Sequence, residues 1–145
     1  MHRRRDSNVS VAHGAWGEDV AVEWLRKRGL TIVDRNVHPC RDDRRLELDV
    51  VAYDSEIDAI VFVEVKQHAR RSAFQRRMRS FDLRKRSAIA HACRSWLRWN
   101  RWQGSYRFDM VEVYGTPESE CPPEIDHIER IRLFKNDGQY VNWCD

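Results

Sequence analysis

The stretch that decides the fold is Leu46-Glu47-Leu48-Asp49-Val50-Val51-Ala52-Tyr53, followed after Asp54-Ser55-Glu56-Ile57-Asp58 by Ala59-Ile60-Val61-Phe62-Val63-Glu64-Val65-Lys66. The two runs are rich in β-branched and aromatic residues and predict strands. The short polar segment between them predicts a hairpin turn. Side chains alternate faces along a strand, so Glu47, Asp49, Val51 and Tyr53 share one side of the first. On the second, Ile60, Phe62, Glu64 and Lys66 share a side. Asp49, Glu64 and Lys66 therefore interrupt faces that are otherwise apolar. A buried charge left without its partner costs about 3–5 kcal/mol. A divalent metal ion would satisfy the two acids; a cross-strand ion pair with Lys66 would satisfy all three residues.

The residue types suit phosphodiester chemistry. Mg2+ takes hard oxygen ligands, commonly one or two carboxylates completed by water and phosphate oxygens. Such a metal polarises a phosphoryl group and lowers the pKa of a bound water. Lys66 falls on the same face as Glu64, where it would orient or deprotonate that water or neutralise developing charge. An Asp, a hairpin, then Glu-x-Lys resembles the active-site pattern of the restriction-endonuclease-like nucleases.

The chain has 145 residues and a formal net charge of +3. That length suits one domain with a core of ordinary size. No apolar run approaches the roughly 20 residues that span a bilayer. Met1-His2-Arg3-Arg4-Arg5-Asp6 is basic but is not followed by the apolar run of a signal peptide. The expectation is a soluble cytoplasmic protein with a disordered basic arm over residues 1–11, an endonuclease-like domain over 12–134 and a tail over 135–145. Cys40, Cys93, Cys121 and Cys144 are scattered without a Cys-x-x-Cys. They read as reduced thiols, and His38-x-Cys40 alone falls short of a structural zinc site.

Charge is unevenly spread. Between Arg70 and Arg101 stand eleven basic residues and one acid, Asp82, whereas Glu112 to Asp126 holds five acids and no base. Basic residues are 22 Arg against 4 Lys, and arginine's planar fork binds phosphate in bidentate fashion. This is an electrostatic footprint for a nucleic-acid backbone. Its candidate contacts are Arg70, Arg71, Arg76, Arg77, Arg79, Arg84, Lys85 and Arg86.

In order along the chain, His13 to Arg28 predicts a helix ended by Gly29, with Trp16, Val20, Ala21, Trp24 and Leu25 as its apolar stripe. Glu18 sits at the edge of that stripe, either as an acid favoured by the helix dipole or as a third metal-site carboxylate. Leu30 to Val37 predicts a strand, and Gln67 to Ser80 a mobile basic loop. Phe81 to Trp99 predicts a second helix, with Ile89, Ala92, Cys93, Trp96 and Leu97 facing the core. Ser105 to Tyr114 and Ile125 to Phe134 predict two further strands.

Several further motifs fall in a recognisable order: Gly14-Ala15-Trp16-Gly17-Glu18, Ala21, Leu25, Gly29, Asn36, Glu47-Leu48-Asp49, Phe62-Val63-Glu64-Val65-Lys66, Lys85 and Arg107-Phe108-Asp109-Met110-Val111. Over residues 12 to 134 the chain resembles the YraN-like bacterial family, related to archaeal Holliday junction resolvases. The resemblance implies an α/β, restriction-endonuclease-like fold with a mixed central sheet of about five strands flanked by helices, in the order α-β-β-β-α-β. It implies that Asp49, Glu64 and Glu18 hold the metal and that Lys66 is the catalytic lysine. The chain departs from the family pattern at Leu46, where the family carries Gly, at His68, where it carries Arg, and around Phe74-Gln75.

The expected function is Mg2+-dependent hydrolysis of DNA phosphodiesters, with Mn2+ as a substitute metal and branched or single-stranded structures as substrates. A homodimer would place two sites symmetrically on a junction. The alternative is a nucleic-acid-binding module that keeps the basic lobe around a vestigial nuclease site.

Overall fold

A computed structural model describes residues 2–71 and 83–133. Its elements are α1 (His2–Lys27), β1 (Thr31–Val37), β2 (Leu48–Asp54), β3 (Ala59–His68), α2 (Leu83–Trp99), β4 (Ser105–Tyr114) and β5 (Glu124–Ile128). The strands form one sheet in the order β1-β2-β3-β4-β5. β3 and β4 are parallel, joined through α2, and every other neighbouring pair is antiparallel. This is the mixed α/β, endonuclease-like core expected from the sequence.

Strand parity sorts the core into two layers. Val50, Ala52, Val61, Val63, Val111 and Val113 pack with Ala21, Val22 and Leu25 of α1. Val51, Ile60, Phe62, Tyr106 and Phe108 pack with Ala92, Cys93, Trp96 and Leu97 of α2. Phe62 meets Trp96 edge-on, with ring centroids 5.7 Å apart, a favoured aromatic geometry. Trp96 Nε1 also donates to Asp34 Oδ2 at 3.1 Å, tying α2 to β1.

Two backbone devices set the angle of α1. At its end Gly29 takes a left-handed φ of 88°. The Gly29 and Leu30 amides donate back to the Arg26 and Leu25 carbonyls, at 2.9 and 3.1 Å, closing a Schellman cap on the glycine expected there. Midway, Gly17 lies so close to β3 that a Cβ built there would stand 2.8 Å from Gln67 Cβ. Only a glycine allows α1 this approach.

Four boundaries correct the sequence reading. α1 begins at His2 rather than His13, so it takes in the segment read as a disordered arm. No proline breaks that stretch, and Gly14 is tolerated inside the helix at a modest cost. β2 begins at Leu48 rather than Leu46, because the Leu46 amide bonds to the Asp43 carbonyl in a turn. β5 ends at Ile128 instead of Phe134. There Arg130 turns to a left-handed φ of 59°. Its amide donates to buried Asp109, and the Ile131 amide donates to the Phe108 carbonyl. The Gln67 to Ser80 loop is shortened by β3, which runs on to His68. Its remainder from residue 72, and the expected tail over 135–145, lie outside the described residues.

Candidate active site

The β2–β3 register places Val50 opposite Val63 and Val51 opposite Phe62. Asp49 consequently comes beside Glu64, on the face that carries α2. The Val65 backbone N–H donates to Asp49 Oδ2 at 2.9 Å. Lys66 Nζ lies 3.1 Å from Glu64 Oε1. Glu64 is largely covered and Lys66 is about a third exposed, so the pair sits at the rim of the core. The Asp49 carboxyl is pushed up to about 7 by burial first and by the neighbouring Glu64 second, against the opposing pull of the Val65 amide. Two acids of the same sign share one small volume with a single lysine.

Glu18 joins the site's field without entering its centre. Its charge contributes to the rise at Asp49, while its Oε1 accepts from Asn36 Nδ2 at 2.8 Å and from Arg35 Nη2 at 3.3 Å. Asn36 has a left-handed φ of 50°, a conformation asparagine adopts more readily than most residues. The close approach at Gly17 brings Glu18 down to this edge of the sheet. The structure thus gathers Asp49, Glu64 and Lys66 and holds Glu18 beside them, tied to β1.

Asp49 and Glu64 are hard oxygen donors with negative charge in excess of what Lys66 neutralises. They fit a Mg2+-class ion better than a thiophilic one. Lys66 pairs across β3–β4 with Glu112, which is buried on the same face. Glu112 Oε2 accepts from the Tyr114 hydroxyl at 2.9 Å, and its Oε1 lies 3.6 Å from His68 Nε2. The His68 and Tyr114 rings stack with centroids 5.2 Å apart. This group was missed in the sequence. Its signal was an acid sharing parity with Phe108 and Met110 in a strand that is otherwise apolar on that face.

The basic contacts divide. Arg70 and Lys85 are exposed and Arg86 is half-buried. Arg86 Nε is buried without a hydrogen-bond partner among the described residues. Arg71 is instead held in place: it bonds Asp126 in bidentate fashion at 2.8 and 3.0 Å, contacts Glu124, and lies over the Tyr114 ring at 4.2 Å. These acids raise its pKa further above the arginine value. Arg76, Arg77 and Arg79 lie outside the described residues, as does the side chain of Arg84.

Fold and site together define an α/β protein with a restriction-endonuclease-like core and an acid–acid–lysine cluster on its second and third strands. The chain belongs to the family described as Uncharacterised protein family UPF0102, whose model matches residues 17–113. This is the YraN family that the sequence motifs resemble. It is 38% identical over 122 residues to a UPF0102 protein of Nocardia farcinica, covering 83% of this chain and 88% of that one. It is 35% identical over 126 residues to one of Pseudomonas aeruginosa, covering 86% and 94%. A third, from Chromohalobacter salexigens, is 34% identical over 111 residues, covering 77% and 85%. The matched span includes Glu18, Asn36, Asp49, Glu64, Lys66 and the Arg107–Val111 run.

Among the described residues, no helix is long and apolar enough to cross a membrane.

Proposed function

We propose that the chain is a metal-dependent phosphodiesterase acting on DNA. The observation that supports this reading best is the contact between the Asp49 and Glu64 carboxyls beside Lys66, with the basic start of α2 on the same face. Asp49 and Glu64 would hold Mg2+, or Mn2+ in its place, with Glu18 as a further carboxylate whose charge reaches Asp49. When bound, such an ion supplies Lewis-acid polarisation of the phosphate and a more acidic water. The Val65 amide fixes one oxygen of Asp49 and leaves the other for a ligand. Lys66, released from Glu64, would orient the attacking water and offset charge on the phosphate. Arg70, Lys85 and Arg86 would position the backbone without reading bases, so strand shape is the expected basis of selectivity.

The second reading, a binding module with a vestigial site, is favoured by two features. Asn36 and Arg35 hold Glu18 away from the centre, and the Lys66–Glu64 pair is satisfied without an ion. The deciding experiment incubates wild-type protein and the Asp49→Asn and Glu64→Gln variants with a four-way DNA junction and with single-stranded DNA, with Mg2+ or Mn2+. Metal-dependent cleavage that both variants lose, with binding retained, supports the hydrolase. Binding without cleavage by the wild type favours the module.

A further inference from the structure

A second constellation lies away from the carboxylate site. Cys40 Sγ, a carboxylate oxygen of Asp42 and a ring nitrogen of His91 all lie within 4.8 Å of one another. Cys40 and Asp42 belong to the loop between β1 and β2, and His91 projects from the middle of α2. No zinc spacing is visible along the chain because the third residue comes from a distant helix. Cys40 is 3% exposed, with its Sγ at 3.4 Å from Ser95 Oγ, one turn beyond His91. Asp42 is exposed and His91 half-exposed, so solvent reaches the group from their side. A cavity of about 430 Å³ opens next to Cys40, lined also by His38, Arg41 and Arg44.

We propose that Cys40, Asp42 and His91 form a zinc-class metal site, with a water from the adjacent cavity in the fourth position. Bonds of about 2.0–2.3 Å give a tetrahedral site edges of roughly 3.3–3.7 Å. His91 Nε2 and Asp42 Oδ2 already stand 3.5 Å apart. Cys40 Sγ lies within 4.8 Å of both, and rotation of the Asp42 and His91 side chains, both solvent-exposed in part, closes the remaining gap of about an ångström. The thiolate and carboxylate together neutralise a divalent ion. Of the two arginines that line the cavity, Arg41 is drawn off over the Trp99 ring at 4.5 Å. A set of one sulfur, one nitrogen and one oxygen selects zinc or cobalt over magnesium. Binding replaces the Cys40–Ser95 contact and releases the thiol proton to solvent. The ion clips the loop leading into β2, and so to Asp49, onto α2. The proposal does not depend on the hydrolytic reading.

The test is Co2+ titration of the full chain after treatment with a chelator. The expected result is a near-ultraviolet thiolate-to-cobalt absorption that saturates at one ion per chain and is bleached by Zn2+. Cys40→Ser abolishes it, Cys93→Ser and Asp49→Asn keep it, and Asp42→Asn and His91→Gln weaken binding by roughly tenfold or more. Circular dichroism of Cys40→Ser checks that the variant is folded. The proposal is overturned by a wild type that shows no such band at saturating cobalt. It also fails where the band survives Cys40→Ser, or where neither Asp42→Asn nor His91→Gln weakens binding. The group would then be an Asp42–His91 ion pair beside a Cys40–Ser95 hydrogen bond.

Discussion

The Val65 backbone amide donates to Asp49 Oδ2 at 2.9 Å from the strand that also carries Glu64. That single bond favours the charged carboxylate, and burial and Glu64 outweigh it, leaving the group at about 7. The consequence for the metal-free protein is a stability that depends on pH. Below about pH 4 both the folded and the unfolded chain hold the Asp49 proton, and the contribution of Asp49 to stability is at its fullest. As pH rises toward 7 the unfolded chain has released its proton and the folded chain has not, so stability falls across that window and levels off above it. Urea denaturation at a series of pH values should show this decline. Asp49→Asn should flatten it and make the metal-free protein more stable than wild type at pH 8. A wild-type profile that rises from pH 4 to 7 would contradict the burial argument.

Lys66 is expected to separate catalysis from binding. Lys66→Met preserves most of the side chain's length and loses its charge. The proposed hydrolysis should fall by about two to four orders of magnitude, the range for losing a proton-transfer or charge-stabilising group. DNA affinity should change little, because the basic start of α2 is untouched. Single-turnover cleavage and fluorescence anisotropy measure the two quantities. Equal losses in both would recast Lys66 as a phosphate contact.

Much of this was legible in the sequence because local chemistry and tertiary structure agree. The alternation in β2 and β3 put Asp49, Glu64 and Lys66 on one face, and Gly29 marked the end of α1 through the one backbone conformation that glycine favours. What was not legible depends on distant partners. β5 stops early because the buried carboxylate of Asp109 captures the Arg130 amide, which no local pattern announces. Arg71 read as one arginine of a basic run, yet Asp126 and Glu124 across the fold claim it. Glu18 fits a dipole acid or a metal ligand in the sequence alone, and its ties to Asn36 and Arg35 depend on the left-handed turn of β1 at Asn36.

Asp109 is fully buried and anchors a chain of hydrogen bonds joining α1, β4 and β5. Trp24 Nε1 donates to His127 Nδ1 at 3.3 Å, which leaves His127 Nε2 to donate to Asp109 Oδ2 at 2.8 Å. Arg107 Nη2 donates to the same oxygen at 3.2 Å. Asp109→Ala should cost about 3–5 kcal/mol, since it leaves a buried guanidinium short of its partner. Adding Arg107→Met should recover part of that loss, because the uncompensated charge goes with it. Urea midpoints of the two variants test this. A double variant less stable than Asp109→Ala would show that Arg107 is held chiefly by Asp54 and Glu129 instead.

Arg71 and Arg86 make opposite predictions for the salt dependence of DNA binding. Each phosphate neutralised by a basic side chain contributes about 0.9 to the slope of log affinity against log salt on duplex DNA. Arg86 is half-buried in the basic start of α2 and leaves its Nε unpartnered among the described residues. Arg86→Ala should lower the slope by about 1. Arg71 is already held in bidentate contact with Asp126 and covers Tyr114. Engaging a phosphate would break that clamp, so Arg71→Ala should leave the slope unchanged and lower the melting temperature instead. Anisotropy titrations at four or more salt concentrations distinguish the two. A slope that drops with Arg71→Ala while thermal stability holds would place Arg71 among the phosphate contacts and its acidic partners as competitors for the same guanidinium.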